Sequence, residues 1–279
     1  MQGKTVVMTG ATSGIGEVAA RALADAGATI VFIARNAARA EATLARLNAK
    51  GRAPHRFYCA DLSSLAEVRR IGAAVAADTP RIDVLVNNAG AIFSSRRISV
   101  DGLEMTFALN HMSYFALTEA LREKLLASAP ARIVNTASDA HQGAKIDFDD
   151  LQSERNYSAM RAYGRSKLCN ILFTRELARG LAGTGVSTNC LHPGFVATRF
   201  GDEAGGVLGG LVWLAKFFAR TPEKGAETIV YLASSPEVAS DNGLYFVDRR
   251  EATPSAAARD DETARRLWAA SQELAHSNQ

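Results

Sequence analysis

The sequence predicts one α/β domain built on a doubly wound parallel sheet with helices on both faces. Three observations carry that expectation. Short apolar runs alternate with helix-period segments along the whole chain, a glycine-rich turn separates the first run from the first helix, and no linker-like stretch interrupts the 279 residues. A hydrophobic content of 47% is ample for one large core. No low-complexity tract, internal repeat or Pro/Gly/Ser-rich run divides residues 1–279, so they are read as a single domain.

Composition also excludes functions. The net charge of +3 is small and is not gathered into a basic stripe, which argues against nucleic acid as a partner. Cys59, Cys169 and Cys190 lie far apart without a CxxC pair and are read as buried thiols of a reducing compartment. The five histidines show no metal-ligand spacing, and the Asp147–Asp150 cluster lacks matched partners, so no metal is expected. Neither Thr5–Thr9 nor Val207–Phe218 is long enough to cross a bilayer, which predicts a soluble, cytoplasmic chain.

Taken in order, Thr5–Thr9 is the first strand and Glu17–Ala26 the first helix. Between them Gly10, Ser13, Gly14, Ile15 and Gly16 form a turn whose backbone amides, with the positive end of the helix dipole, suit a pyrophosphate. Thr29–Ala34 is the second strand. It ends in Arg35-Asn36 and not in an acid, which favours a ribose 2′-phosphate over a free 2′-hydroxyl, hence NADP(H) over NAD(H). His55–Ala60 is the third strand, followed by Asp61 and Leu62, where the Asp61 carboxylate can accept from an adenine amine, and by Ser63 as a candidate helix cap.

Ile82–Val86 is the fourth strand, and Asn87, Asn88, Ala89 and Gly90 leave room at its end for a flat ring. A long helix is predicted over Asp101–Ala127. Its apolar stripe is interrupted by Asn110, which must find polar partners in the core or in a site. Ile133–Ala137 is the fifth strand, and Ser138 at its carboxyl end stands where open α/β sheets bind ligands. Gln142–Asn156 reads as a surface excursion. The next helix carries Tyr163 and Lys167, which share one face, so that a cation can hold the phenol nearer to neutrality. Val186–Leu191 is the sixth strand, closed by Pro193 and Gly194, with Val196 and Thr198 just beyond. The apolar, glycine-rich stretch within about 199–220 fits a flap over a greasy pocket, with peripheral membrane contact as its rival reading. A helix beginning at Thr221-Pro222, a last strand at Gly243–Val247 and a helix over Asp260–Ala275 complete the chain.

Together the motifs Thr9-Gly10-x-x-x-Gly14-Ile15-Gly16, Asn87-Asn88-Ala89-Gly90, Asn110, Ser138, Tyr163-x-x-x-Lys167 and Pro193-Gly194 with Thr198 resemble the short-chain dehydrogenases/reductases, in family order over nearly the whole chain. Asn110-His111, Ala140-His141, Ile146–Leu151, Phe173–Leu177 and Glu262–Trp268 are similar to the retinol dehydrogenase group within it. The resemblance implies a Rossmann-type fold and hydride transfer between NADP(H) and an apolar aldehyde, ketone or alcohol. It implies Tyr163 as proton donor or base, Lys167 as the residue lowering its pKa and binding the nicotinamide ribose, Ser138 as stabiliser of the substrate oxygen, and Asn110 as holder of a water in a relay through Lys167. Assembly as a homo-oligomer is also compatible with it. The competing expectation is a catalytically silent NADP(H)-binding regulatory protein, a class that usually loses the Tyr or Lys retained here.

Overall fold

The structure, a computed structural model, describes residues 1–49, 53–194 and 221–277. Within them the strands are β1 (Thr5–Thr9), β2 (Thr29–Ala34), β3 (Arg56–Cys59), β4 (Val84–Asn87), β5 (Ala131–Thr136), β6 (Val186–His192), β7 (Tyr245–Val247) and β8 (Arg250–Glu251). They form one sheet in the order β3-β2-β1-β4-β5-β6-β7-β8 among the described residues. Every pairing from β3 to β7 is parallel, and β7 with β8 is antiparallel. The hairpin closes through Asp248 and Arg249, both at positive φ, and a strand of two residues is too short for any periodicity to announce it.

The central strands are almost wholly apolar because both faces are covered. Val7, Val31, Leu85 and Ile133 face one layer, made by α3 (Leu65–Asp78), α5 (Ser113–Ala127), α6 (Ala159–Gly180) and α8 (Asp261–His276). Val6, Met8, Ile30, Phe32 and Val86 face the other, with Leu23 of α1 (Gly14–Asp25) and Ile229 and Leu232 of α7 (Pro222–Ser234). α2 (Ala37–Asn48) follows β2. Chain order reverses between β1 and β4, and the crevice outside the carboxyl ends of these two strands is where such sheets take ligands. The aromatic outer face of α5 and α6 is covered by α8, whose Trp268 stacks on Phe173 at 5.8 Å and meets Phe115 edge-on at 5.1 Å.

Several expectations shift. The long helix does not begin at Asp101, whose carboxylate instead accepts from Leu65 N at 2.8 Å and holds the start of α3. Glu104 caps a first turn, α4 (Met105–Phe107), by accepting from Thr106 N and Phe107 N, and a π turn over Ala108–Met112 precedes α5. Ser64 and not Ser63 caps α3. Cys59 is exposed, because it ends an edge strand, whereas Cys169 and Cys190 are buried with thiols pushed up to about 12 by that burial. The Gln142–Asn156 excursion is tied down: Arg96 Nε donates to Gln152 O at 2.9 Å, Glu104 N to Gln152 Oε1 at 2.7 Å and Arg165 to Asp150 O at 2.7 Å. No helix among the described residues is long and apolar enough to cross a membrane.

Candidate active site

Adjacent strand ends build the first half of the site. Met8 pairs with Val86, so the turn after β1 and the Asn88 segment after β4 leave the sheet side by side. Thr9 Oγ1 accepts from Asn88 N at 2.9 Å and Ala89 N at 3.0 Å, while Asn88 Nδ2 reaches the carbonyls of Thr9 and Gly10. This closeness is what requires glycine. A Cβ on Gly10, at φ +71°, would lie 2.8 Å from Asn88 Nδ2, and one on Gly16 would lie 2.1 Å from Gly10 O. Ser13 stands at the N-cap of α1 without a side-chain hydrogen bond to the first turn, in contrast to the caps of α2, α3, α7 and α8. Uncapped amides beside a glycine turn suit an anion.

At the end of β2, Arg35 is exposed. Asn36 caps α2, its Oδ1 accepting from Arg39 N at 2.9 Å, so its side chain has a structural task of its own. Asp61 is exposed and its Oδ1 accepts from Ser63 N and Ser63 Oγ, while Leu62 beside it is buried.

The second half lies at the carboxyl ends of β4 and β5. Ser138 follows β5, caps a short 3-10 turn by accepting from Ala140 N, and is hydrogen-bonded to the Tyr163 phenol. Lys167 is 3% exposed, donates from Nζ to Thr136 O at 3.0 Å, and stands 5.6 Å from the centroid of the Tyr163 ring. Burial acts on both. It pushes the Tyr163 phenol up to about 12, with the Ser138 hydrogen bond pulling the other way, and brings Lys167 down to about 7.

Asn110 is fully buried, and its side chain is spent on structure. Its Oδ1 accepts from Ala91 N at 2.9 Å and its Nδ2 donates to Ala91 O and Ser166 Oγ, both at 3.0 Å. It thereby fixes the backbone just after Gly90. A Cβ on Gly90 would stand 3.1 Å from Asn110 Oδ1 and 3.6 Å from Lys167 Nζ, so glycine keeps the approach to the amine clear.

Other residues of this region escaped the sequence reading. Tyr114 puts its ring 5.9 Å from Lys167 Nζ, and its buried hydroxyl has no hydrogen-bond partner among the described residues. His141 is buried, donates from Nδ1 to Ser138 O at 2.7 Å and accepts at Nε2 from Ser255 N, and His192 Nδ1 accepts from Asp139 N, so two histidines brace the Ser138 turn. The Ala140-His141 pair was visible in sequence; its bracing partners were not. A cavity of about 580 Å³ lies between the Gln142–Asn156 excursion and the start of α6, bordered by Ala140, Gly164 and Arg165 and by none of Ser138, Tyr163 and Lys167. Pro193 and Gly194 close β6, with Gly194 at φ +83°. Val196, Thr198 and the proposed flap segment, about 199–220, lie outside the described residues, except that described structure resumes at residue 221.

The sequence profile described as "short chain dehydrogenase" matches residues 4–205. The chain belongs to the short-chain dehydrogenase family. Human retinol dehydrogenase 13 is 40% identical over 284 residues, covering 98% of this chain and 84% of the relative. Among solved short-chain dehydrogenases and their likenesses, an uncharacterized protein from Mycobacterium Paratuberculosis superposes with a TM-score of 0.78 at 32% identity, covering 99% of this chain and 94% of that one. A short chain dehydrogenase from Burkholderia cenocepacia J2315 in complex with NADP gives 0.70 at 27% identity, with 93% and 99% covered. As a retinol dehydrogenase-like short-chain dehydrogenase the chain is an oxidoreductase acting on CH–OH groups. The residues present fit the nicotinamide dinucleotide that this family's fold implies: the uncapped start of α1 suits its pyrophosphate, and the glycine-lined approach to Lys167 admits a flat ring.

Proposed function

We propose that the chain is an NADP(H)-dependent oxidoreductase that interconverts an apolar aldehyde or ketone with its alcohol. The observation that carries this reading is the Tyr163 phenol, hydrogen-bonded to Ser138 beside the buried Lys167 at the carboxyl edge of the sheet. A bound nicotinamide dinucleotide supplies or accepts the hydride. In reduction the carbonyl oxygen gains charge, and Tyr163 gives its phenolic proton to that oxygen while Ser138 donates a hydrogen bond to it. In oxidation Tyr163 takes the alcohol proton. Lys167, near 7, is poised to return a proton towards Tyr163. Asn110 acts by holding the Ala91 backbone.

Gly10, Ser13, Gly14, Ile15 and Gly16 would hold the pyrophosphate, Arg35 and Asn36 the 2′-phosphate, Asp61 and Leu62 the adenine, and Asn88, Ala89 and Gly90 with Pro193 and Gly194 the nicotinamide half. Two facts support NADP(H) over NAD(H): the sequence at the end of β2 is Ala34-Arg35-Asn36, with an exposed arginine where an acid would serve a free 2′-hydroxyl, and the Burkholderia relative is a complex with NADP. The likeness to retinol dehydrogenase 13 supports an apolar substrate.

The test is consumption of NADPH and of NADH by the purified chain against aliphatic, aromatic and polyene aldehydes. Turnover with NADPH is expected. Tight NADPH binding without turnover of any member of the panel contradicts the reading and leaves a cofactor-binding regulatory protein.

A further inference from the structure

Behind the reaction centre lie three buried polar side chains that the proposed chemistry does not use. His111, Asn170 and Ser271 are 0%, 0% and 1% exposed, and they form one chain of hydrogen bonds. Asn170 sits one turn after Lys167 on α6. Its Nδ2 donates to Asn110 O at 2.9 Å and Thr136 O at 3.3 Å, and the same Thr136 oxygen accepts from Lys167 Nζ at 3.0 Å. Asn170 Oδ1 faces His111 Nδ1 at 3.4 Å, and His111 Nε2 faces Ser271 Oγ of α8 at 3.0 Å.

Donor and acceptor chemistry leaves one arrangement. Two carbonyl oxygens can only accept, so the Asn170 amide cannot turn over without setting oxygen against oxygen. Its Oδ1 can only accept, which requires the proton on His111 Nδ1. Burial keeps this imidazole neutral, lowering it to about 4, so Nε2 is an acceptor and the Ser271 hydroxyl must donate to it. The Asn110 carbonyl belongs to the π turn over Ala108–Met112, where the helical ladder is perturbed and a side chain can serve a main-chain acceptor.

We propose that Asn170 is a positioning residue for Lys167 and for the Asn110 backbone, and that His111 and Ser271 lock it in its single working orientation, so that the C-terminal helix is coupled to the reaction centre. This rests on the roles proposed above for Lys167 and Asn110. Asn170 acts through the Thr136 carbonyl, the shared acceptor that sets where the Lys167 amine stands. Removing the lock at Ser271, on a different element, therefore reaches the same amine.

Two measurements on the full chain test this, one of them independent of turnover. In imidazole ¹⁵N spectra of histidine-labelled protein, the resonance lost in His111→Gln is expected as the neutral Nδ1–H tautomer at pH 7 and is expected to move in Ser271→Ala and in Asn170→Asp. An Nε2–H tautomer, or a resonance indifferent to both substitutions, overturns the lock. In NADPH consumption with nonanal, Asn170→Asp is expected to lower kcat at least about tenfold and Ser271→Ala about threefold, with the NADPH KM changed less than about twofold and the double variant no worse than Asn170→Asp alone. Multiplying losses, or a parental kcat per folded molecule beside a lowered Tm, overturns the positioning role. A parent that binds NADPH but reduces no aldehyde fails the proposed function instead, while the spectra still decide the lock.

Discussion

Lys167 and Asn170 donate to one oxygen, the Thr136 carbonyl, at 3.0 and 3.3 Å. That carbonyl ends β5, two residues before Ser138, so a single strand end sets both the amine and the hydroxyl that flank Tyr163. The sheet delivers Ser138, α6 delivers Tyr163 and Lys167, and the π turn before α5 delivers Asn110.

Arg35 is the residue on which cofactor choice turns. Arg35→Ala is expected to weaken NADPH relative to NADH by about tenfold, the loss of one charge-assisted contact worth roughly 1.5 kcal/mol. Fluorescence titration with both cofactors measures it, and an unchanged preference contradicts the reading of β2's end.

His111 predicts acid sensitivity of stability. Its folded pKa, about 4, lies below the unfolded value of 6.5, so between these pH values the unfolded chain binds more protons. The stability it permits is complete above 6.5 and is lost progressively as pH falls towards 4, by about 3 kcal/mol in all. Urea unfolding at pH 7.5 and pH 5 should show a drop in the parent that is smaller in His111→Gln; equal drops would count against it.

Tyr114 carries a buried hydroxyl without a partner among the described residues. Removing it in Tyr114→Phe should raise stability by about 1 kcal/mol, because the desolvation cost of an unsatisfied group disappears. A loss of similar size in chemical denaturation would mean that the hydroxyl is bonded.

Tyr163 predicts how the two directions differ with pH. Reduction needs the protonated phenol, which is present well below about 12, whereas oxidation needs the phenolate, whose population grows as pH rises towards that value. Alcohol oxidation should therefore speed up between pH 7 and pH 10 while aldehyde reduction does not; parallel profiles would be inconsistent with one phenol serving both.

Much of this was legible in the sequence because it rests on local rules. The alternation of apolar runs and helical periods gave the sheet, and glycine spacing marked the turn that packs against Asn88. Tyr163 and Lys167 share a helix face, and Asn110 stood out as an amide on an apolar stripe. Asn170 obeys the same logic, but its partners at Asn110 and Thr136 lie 60 and 34 residues away and no periodicity encodes them. The bracing of Ser138 by His141 and His192, and the exposure of Cys59 on an edge strand, likewise depend on which elements become neighbours. The weakening of Lys167 follows from burial, which spacing alone does not reveal.

Tyr163→Phe removes one hydroxyl and keeps the ring, and its turnover tests the role of Tyr163 most directly. With NADPH and the best aldehyde of the parent, kcat should fall by about 10² to 10⁴ while NADPH affinity stays within about twofold. Near-parental turnover in the purified variant would contradict it.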